Sequence, residues 1–140
     1  MRTKPIVTLA GIVSILLFST SLLAHHGYAA YDMTKTLSMK GTVTSYAMAN
    51  PHGSIALDVR DANGNVVHWI VETGATVRLM RAQGFTSDTL KPGDTVTVTF
   101  SPGKDADKHI GVFKQVELAD GEVFPKPTAG GNAAANPAGQ

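Results

Sequence analysis

Five short segments of the chain alternate apolar and polar residues, a pattern that indicates strands with one buried face. The fourth segment shows it most clearly, because Val96, Val98 and Phe100 alternate with threonines. Asn63 and Gly64 separate the second and third segments, and Asn-Gly readily adopts the positive φ of a hairpin turn. The chain is therefore expected to be mainly β, with strands at residues 37–47, 54–60, 66–72, 95–100 and 110–118.

One segment, residues 75–83, follows a helical period instead. Val77 and Met80 fall on one face of it, and Arg78 and Arg81 fall on the other. Three strands, a short helix and two more strands are the order of a five-stranded OB-like barrel, whose helix lies between strands 3 and 4. A small antiparallel sandwich of the same strands is the alternative. The expected core of the barrel is Val43, Ile55, Leu57, Val59, Val67, Trp69, Val71, Val77, Met80, Phe85, Val96, Val98, Phe100, Val112, Val116 and Leu118.

Residues 1–24 have the three parts of a secretory signal peptide. Arg2 and Lys4 give a positive start, residues 6–18 form an apolar run, and a short exit region ends at Ala24. The chain is therefore predicted to be exported, and the signal together with the absence of cysteine favours a bacterial periplasm. A membrane anchor formed by an uncleaved signal is the alternative, because the apolar stretch is nearly long enough to span a bilayer.

The position of cleavage decides which residue begins the mature protein. Cleavage after Ala24 is favoured, although Leu22 occupies a position where a small residue is usual. Cleavage after Ala29 fits the small-residue rule better but lies far from the apolar run. The first choice makes His25 the N-terminal residue, whereas the second removes both His25 and His26.

The rest of the chain divides into three parts. Residues 25–36 have no clear period and form an N-terminal segment. Residues 37–124 form the barrel, in which residues 123–124 can add a short pairing. Residues 125–140 are mostly Pro, Gly, Ala and Asn, so they cannot bury apolar area and are expected to be a disordered tail.

The charge balance argues against two classes of partner. The full chain has 12 basic and 11 acidic residues, and loss of Arg2 and Lys4 with the signal leaves 10 basic residues against 11 acidic ones. A surface for nucleic acid or for anionic membranes needs a clustered basic patch. No nucleic-acid partner is expected, and no membrane association after signal cleavage. The absence of cysteine also excludes a thiolate metal site.

Several short motifs resemble those of an uncharacterised family (a domain of unknown function) of small exported bacterial proteins. The resemblance covers residues 24–124 and implies the same small exported barrel, but no specific activity. Gly53 departs from the family pattern, since relatives often have a bulkier residue there, and this departure is expected to loosen the turn. The motifs are His25-His26-Gly27-Tyr28, Asn50-Pro51-His52, His68-Trp69, Leu90-Lys91-Pro92-Gly93-Asp94 and Leu118-Ala119-Asp120-Gly121.

A free N-terminal His25 would be a chelating metal ligand. Its α-amine and its Nδ1 can hold one ion in a six-membered ring, and one further imidazole completes a histidine brace, which suits tetragonal Cu(II). His52 is the predicted third nitrogen, because it lies in a turn, where functional side chains concentrate. His26 is the alternative or supplementary ligand. The competing interpretation is that these histidines are merely solvated.

The remaining two histidines are not expected to bind metal. His68 is expected to pack beside Trp69, and His109 follows a charged loop and is expected to be exposed. No Ser-His-Asp or Cys-His arrangement can be recognised, so no catalytic residue is predicted.

These observations predict a periplasmic protein that binds a metal ion, copper preferred, for carriage or storage rather than catalysis. The alternative is an envelope module that contacts another protein through barrel loops or an exposed strand and binds no metal. An oxidative copper enzyme is a third and less favoured interpretation, because so short a chain offers no evident broad substrate face.

Overall fold

The computed structural model describes residues 27–127, and within them six strands and two short helices follow one another along the chain. None of these helices is long and apolar enough to cross a bilayer. The α-helix begins two residues later and ends one residue earlier than the predicted residues 75–83. The elements are β1 Leu37–Ala47, β2 Ser54–Arg60, β3 Val66–Glu72, α1 Val77–Ala82, β4 Thr95–Pro102, a 3-10 helix Ala106–Lys108, β5 Ile110–Leu118 and β6 Val123–Phe124.

The first five strands close into a barrel. Their order is β3-β2-β1-β4-β5, and each neighbouring pair is antiparallel. The barrel closes where β3 and β5 run parallel, from Ile70 opposite Ile110 to Glu72 opposite Val112. The predicted OB-like barrel with one short helix between strands 3 and 4 is therefore confirmed, and β6 adds a two-residue pairing to the end of β5.

Strand β1 is long enough to serve both halves of the barrel. Its first half pairs with β4 up to Thr42, and its second half pairs with β2 from Thr42 onwards, with a register shift between Val43 and Ser45. At Gly41, a methyl group would lie 2.9 Å from the carbonyl oxygen of Asp58. Glycine therefore permits the close approach of β1 and β2 where the strand bends.

The buried core includes most of the residues expected from the strand pattern. Three buried residues were not expected, namely Tyr31 before the barrel, Leu90 in the loop before β4, and Phe124 in β6. The expected core residues that are only partly buried are Val59, Val67, Trp69, Val77 and Leu118. The fully or nearly fully buried apolar residues are Tyr31, Val43, Ile55, Leu57, Val71, Met80, Phe85, Leu90, Val96, Val98, Phe100, Val112, Val116 and Phe124.

Helix α1 closes one end of the barrel, where β1 ends and β2 begins; this end is called the helix end below. The Thr76 hydroxyl accepts a hydrogen bond from the Leu79 amide at 3.4 Å and caps the helix start. Met80 and Phe85 enter the core from the helix and its exit. Gly84, at φ +88°, ends the helix in a left-handed conformation that suits glycine.

The chain segments that flank the barrel are packed against it. On the N-terminal side, Tyr31 forms a bridge with Gly103, and the Asp32 amide donates to the Pro102 carbonyl at 2.8 Å. On the C-terminal side, the Lys126 amide donates to the Gln83 carbonyl at 2.9 Å. The predicted tail begins at residue 125, and this contact holds its second residue, Lys126, against the end of helix α1. Its remainder, residues 128–140, lies outside the described residues.

Candidate functional site

The Asn-Pro-His motif forms the turn between β1 and β2 at the helix end. The Asn50 side-chain oxygen accepts a hydrogen bond of 3.0 Å from the Val77 amide, in the first turn of α1. The first amides of a helix have no partner within the helix itself, so this bond satisfies one of them. The turn is thereby attached to the helix, and the Asn50-Pro51 peptide bond within it is cis.

Gly53, directly after His52, is fixed more firmly than the sequence indicated. Its amide donates to the Thr73 hydroxyl at 3.0 Å, and its carbonyl accepts from the Thr73 amide at 2.9 Å. A methyl group on Gly53 would lie 2.5 Å from the carbonyl oxygen of Ala47 and 3.1 Å from the Met80 sulfur. The expectation that glycine loosens this turn is therefore wrong, since Gly53 is buried and both its amide and its carbonyl are hydrogen-bonded.

His52 lies between these two attachments, with Asn50 bonded to the helix and Gly53 bonded to Thr73. Its side chain is exposed, and its ring forms no hydrogen bond with any of the described residues. The backbone of His52 is thus held while the imidazole projects into solvent. This is the arrangement that a ligand-binding histidine on a rigid support requires.

The start of the described chain reaches the same end of the barrel. Ser54 pairs with Glu72, and the next residues outward, Gly53 and Thr73, are hydrogen-bonded to each other. His52 precedes Gly53 and Gly74 follows Thr73, so both adjoin this bonded pair. The Tyr28 hydroxyl lies against Gly74, where an added methyl group would come within 2.8 Å of it. Tyr28 therefore contacts a residue that adjoins the same bonded pair as His52.

Tyr31 secures the N-terminal segment beside this site. Its side chain is buried, and burial, followed by the charge and hydrogen bond of the Glu72 carboxylate, raises the pKa of its phenol above 10.0. The Lys104 amide donates to the Ala30 carbonyl at 2.8 Å on the other side of the segment. Residues 30 and 31 are thus held between β3 and the loop after β4, and the chain leaves towards its N-terminus at the helix end.

The other predicted ligands, His25 and His26, lie outside the described residues. Among residues 27–127, no three His, Asp or Glu side chains converge into a group that could hold a metal ion. His52 is thus the one predicted ligand whose position is described.

The two remaining histidines occupy positions that differ from expectation. His68 does not pack beside Trp69; it lies on the outer face of β3 with 78% of its side chain exposed, and its Nδ1 is 2.5 Å from an Asp58 carboxylate oxygen. His109 is half-buried rather than exposed, because its ring meets the Trp69 ring edge-on at 5.2 Å. Alternation along β3 directs neighbouring side chains to opposite faces, which separates His68 from Trp69.

Comparisons with known proteins place the chain in a family without giving it an activity. Neither a search of curated proteins nor a search of solved structures finds a significant match. A family model described as "Family of unknown function (DUF6152)" matches residues 8–113, which include β1 to β4, helix α1 and the start of β5. The predicted membership of an uncharacterised family is confirmed: the chain belongs to this family of unknown function.

Proposed function

We propose that this chain is an exported, periplasmic protein that binds a metal ion, copper preferred, for carriage or storage. The ligands are the α-amine and imidazole of a mature N-terminal His25 and the imidazole of His52, with His26 as a supplementary ligand. The observation that supports this most directly is the contact of Tyr28 with Gly74, since Gly74 follows Thr73, and the bonding partner of Thr73, Gly53, follows His52.

The covalent distance is compatible with this ligand set. Three peptide units separate Tyr28 from His25, and they span at most about 10 Å when fully extended. Gly74 and His52 each adjoin the bonded Gly53–Thr73 pair, and consecutive Cα atoms lie only about 3.8 Å apart. The chain length from Tyr28 to His25 is therefore compatible with an approach of the His25 amine to the His52 imidazole.

The donor set suits copper for chemical reasons. Three neutral nitrogen donors, one amine and two imidazoles, favour the tetragonal geometry of Cu(II). The amine and the imidazoles bind a metal ion only in their unprotonated forms, so binding displaces any proton that they carry. Affinity is expected to fall as the pH is lowered, because protons then compete with the metal ion for both kinds of nitrogen.

A copper titration of the protein that begins at His25 tests the ligand set. We expect His25→Ala and His52→Ala each to weaken Cu(II) binding at least tenfold, about 1.4 kcal/mol, because each removes a ligand. Electron paramagnetic resonance of the complexes should show fewer coordinated nitrogens in either variant. His68→Ala is the matched control, since it removes an exposed imidazole from the outer face of β3 and should leave affinity unchanged. Equal copper affinity in His52→Ala and the unaltered protein would exclude His52 as a ligand.

The alternative function, an envelope interaction module, is favoured by one observation on the outer face of β3. Val66 and Ile70 expose 45% and 52% of their surfaces there, on either side of His68. An exposed apolar strip on a strand is a common feature of protein-binding surfaces. Capture of a single partner by the unaltered protein, lost in an Ile70→Lys variant and independent of copper, would support this alternative over the metal site.

A further inference from the structure

A groove of about 430 Å³ lies at the end of the barrel opposite the helix, where β1 begins and β2 ends. Its floor is apolar and consists of Met39, Val59, Val67 and Trp69. A second groove of about 350 Å³ shares Met39 and Trp69 with the first and continues past Leu37. Both volumes are in the range of small-molecule sites, and a mainly apolar floor is typical of such sites.

Trp69 is held rigidly in this groove. Its ring lies 5.1 Å from the ring of Phe100, which is completely buried, and meets the His109 ring edge-on at 5.2 Å. Its backbone lies in the middle of β3, opposite Leu57 of β2. An aromatic surface that is already fixed before binding loses little conformational entropy when a flat ligand stacks on it.

His109 takes part in this arrangement through an unusual backbone conformation. Its φ and ψ of 48° and 49° lie in the left-handed region, which residues other than glycine seldom adopt. The His109 carbonyl accepts a hydrogen bond from the Ile70 amide at 3.0 Å, which fixes the conformation. Backbone strain of this kind is concentrated at ligand-binding positions, and here it directs an imidazole into the wall of both grooves.

The rim of the larger groove carries an excess of positive charge. Lys40, near the start of β1, and Arg60, at the end of β2, both line it. Two cations that line one groove repel each other, and a bound anion relieves that repulsion. Within the described chain, the Lys40 side chain forms no ion pair and no hydrogen bond.

The carboxylate of Asp61, also on this rim, is already engaged. It accepts hydrogen bonds of 2.8 Å from the amides of Asn63 and Asn65, which hold the hairpin turn. One guanidinium N–H of Arg60 donates a hydrogen bond of 3.0 Å to the Gly64 carbonyl. This bond orients the guanidinium group and leaves its other N–H donors available. Two cations and one carboxylate leave a single net positive charge, which matches a monoanion better than a dianionic phosphate.

We propose that this groove binds a small organic monocarboxylate with a flat apolar body. The carboxylate is held by Arg60 and Lys40 at the rim, and the apolar body lies on Trp69 and Met39. The site is at the opposite end of the barrel from His52 and needs no metal.

Fluorescence of Trp69, the single tryptophan of the chain, reports on this groove directly. The probe is 3-phenylpropionate, which does not absorb at the tryptophan excitation wavelength. It is added to the purified protein in a buffer that contains a metal chelator. We expect a saturable change in emission, and about tenfold weaker binding of the neutral 3-phenylpropanamide, because a hydrogen bond to a charged group is lost. Phenyl phosphate should bind no more tightly than the carboxylate.

Variants separate the proposed contacts from general effects. Arg60→Gln and Lys40→Gln should each weaken 3-phenylpropionate binding about fivefold to tenfold and leave amide binding unchanged. Arg78→Gln, which removes a cation from α1 at the other end, is the matched control and should have no effect. His52→Ala should also have no effect, so the outcome here is independent of the outcome for copper. The proposal is overturned if binding does not saturate up to about 10 mM, which is the weak limit of specific binding. Equal affinity for the acid and the amide also overturns it.

Discussion

Gly53 is the residue on which the geometry of the His52 turn depends most directly. Its amide and carbonyl both bond to Thr73, and the space that a side chain would need is occupied by the Ala47 carbonyl oxygen. The turn is therefore held by backbone contacts rather than by the side chain of His52. An exposed imidazole can thus change its partner, from water to a metal ion, without disturbing the fold.

Gly53→Ala should lower the free energy of unfolding by about 1–3 kcal/mol, because the added methyl group meets backbone atoms that cannot rotate away. Urea denaturation measures the change. Gly27→Ala is the matched control, since an added methyl group meets nothing within 4 Å there. A Gly53→Ala protein as stable as this control would show that the turn can shift, and would contradict the tight contact described here.

Tyr46 is a second residue with a measurable consequence. Its hydroxyl is buried and has no hydrogen-bond partner within the described residues, and burial raises the pKa of its phenol from 10.0 to about 12. The neutral form is therefore favoured in the folded state. Its contribution to stability is complete below pH 10 and is lost as the pH rises through about 12.

Tyr46→Phe should leave stability at pH 7 unchanged or raise it by up to about 1 kcal/mol, since no hydrogen bond is lost with the hydroxyl. The fall in stability above pH 10 should become shallower but should persist in part, because the raised pKa of Tyr31 acts in the same direction. Urea denaturation at a series of pH values measures both effects. A loss of 1 kcal/mol or more at pH 7 would reveal a partner for the hydroxyl.

At the scale of elements, the two-residue strand β6 contributes more than its length indicates. Phe124 is 6% exposed, and its ring lies 5.1 Å from the ring of Phe85, the residue that follows helix α1. The Lys126 ammonium lies 4.7 Å from the centre of the Phe124 ring on its outer side. The last strand therefore completes the core beneath the helix.

Phe124→Ala should cost about 3–5 kcal/mol of unfolding free energy, because a large buried ring is replaced by a cavity. Thermal unfolding measures the loss. Val123→Ala, on the same strand but only partly buried, is the control and should cost less than about 1.5 kcal/mol. A similar loss in both variants would mean that pairing of β6 matters more than the Phe124 ring.

The strands and the barrel could be predicted from the sequence because alternation directly reflects which face of a strand is buried. Phe124 and Leu90 were missed because both occur in short segments where no period can be measured. The support of His52 by Asn50, Gly53 and Thr73 could not be predicted either. Those contacts join residues up to 27 positions apart, which only the folded chain brings together.

At the scale of the whole molecule, the barrel presents two different ends. The helix end carries the His52 turn, which is bonded to α1 and to Thr73, and the opposite end carries the groove around Trp69. The parallel pairing of β3 with β5 closes the sheet between them, and a closed sheet has few exposed edges to rearrange. The two proposed sites therefore lie at opposite ends of one closed sheet.

The metal proposal rests on one peptide bond, because His25 has an α-amine only if the signal is removed directly before it. Intact-mass spectrometry of the protein recovered from the periplasm of an expressing bacterium measures this most directly. The account predicts a mature chain that begins at His25. A chain that begins at Ala30, without both N-terminal histidines, or one that still begins at Met1, would contradict it.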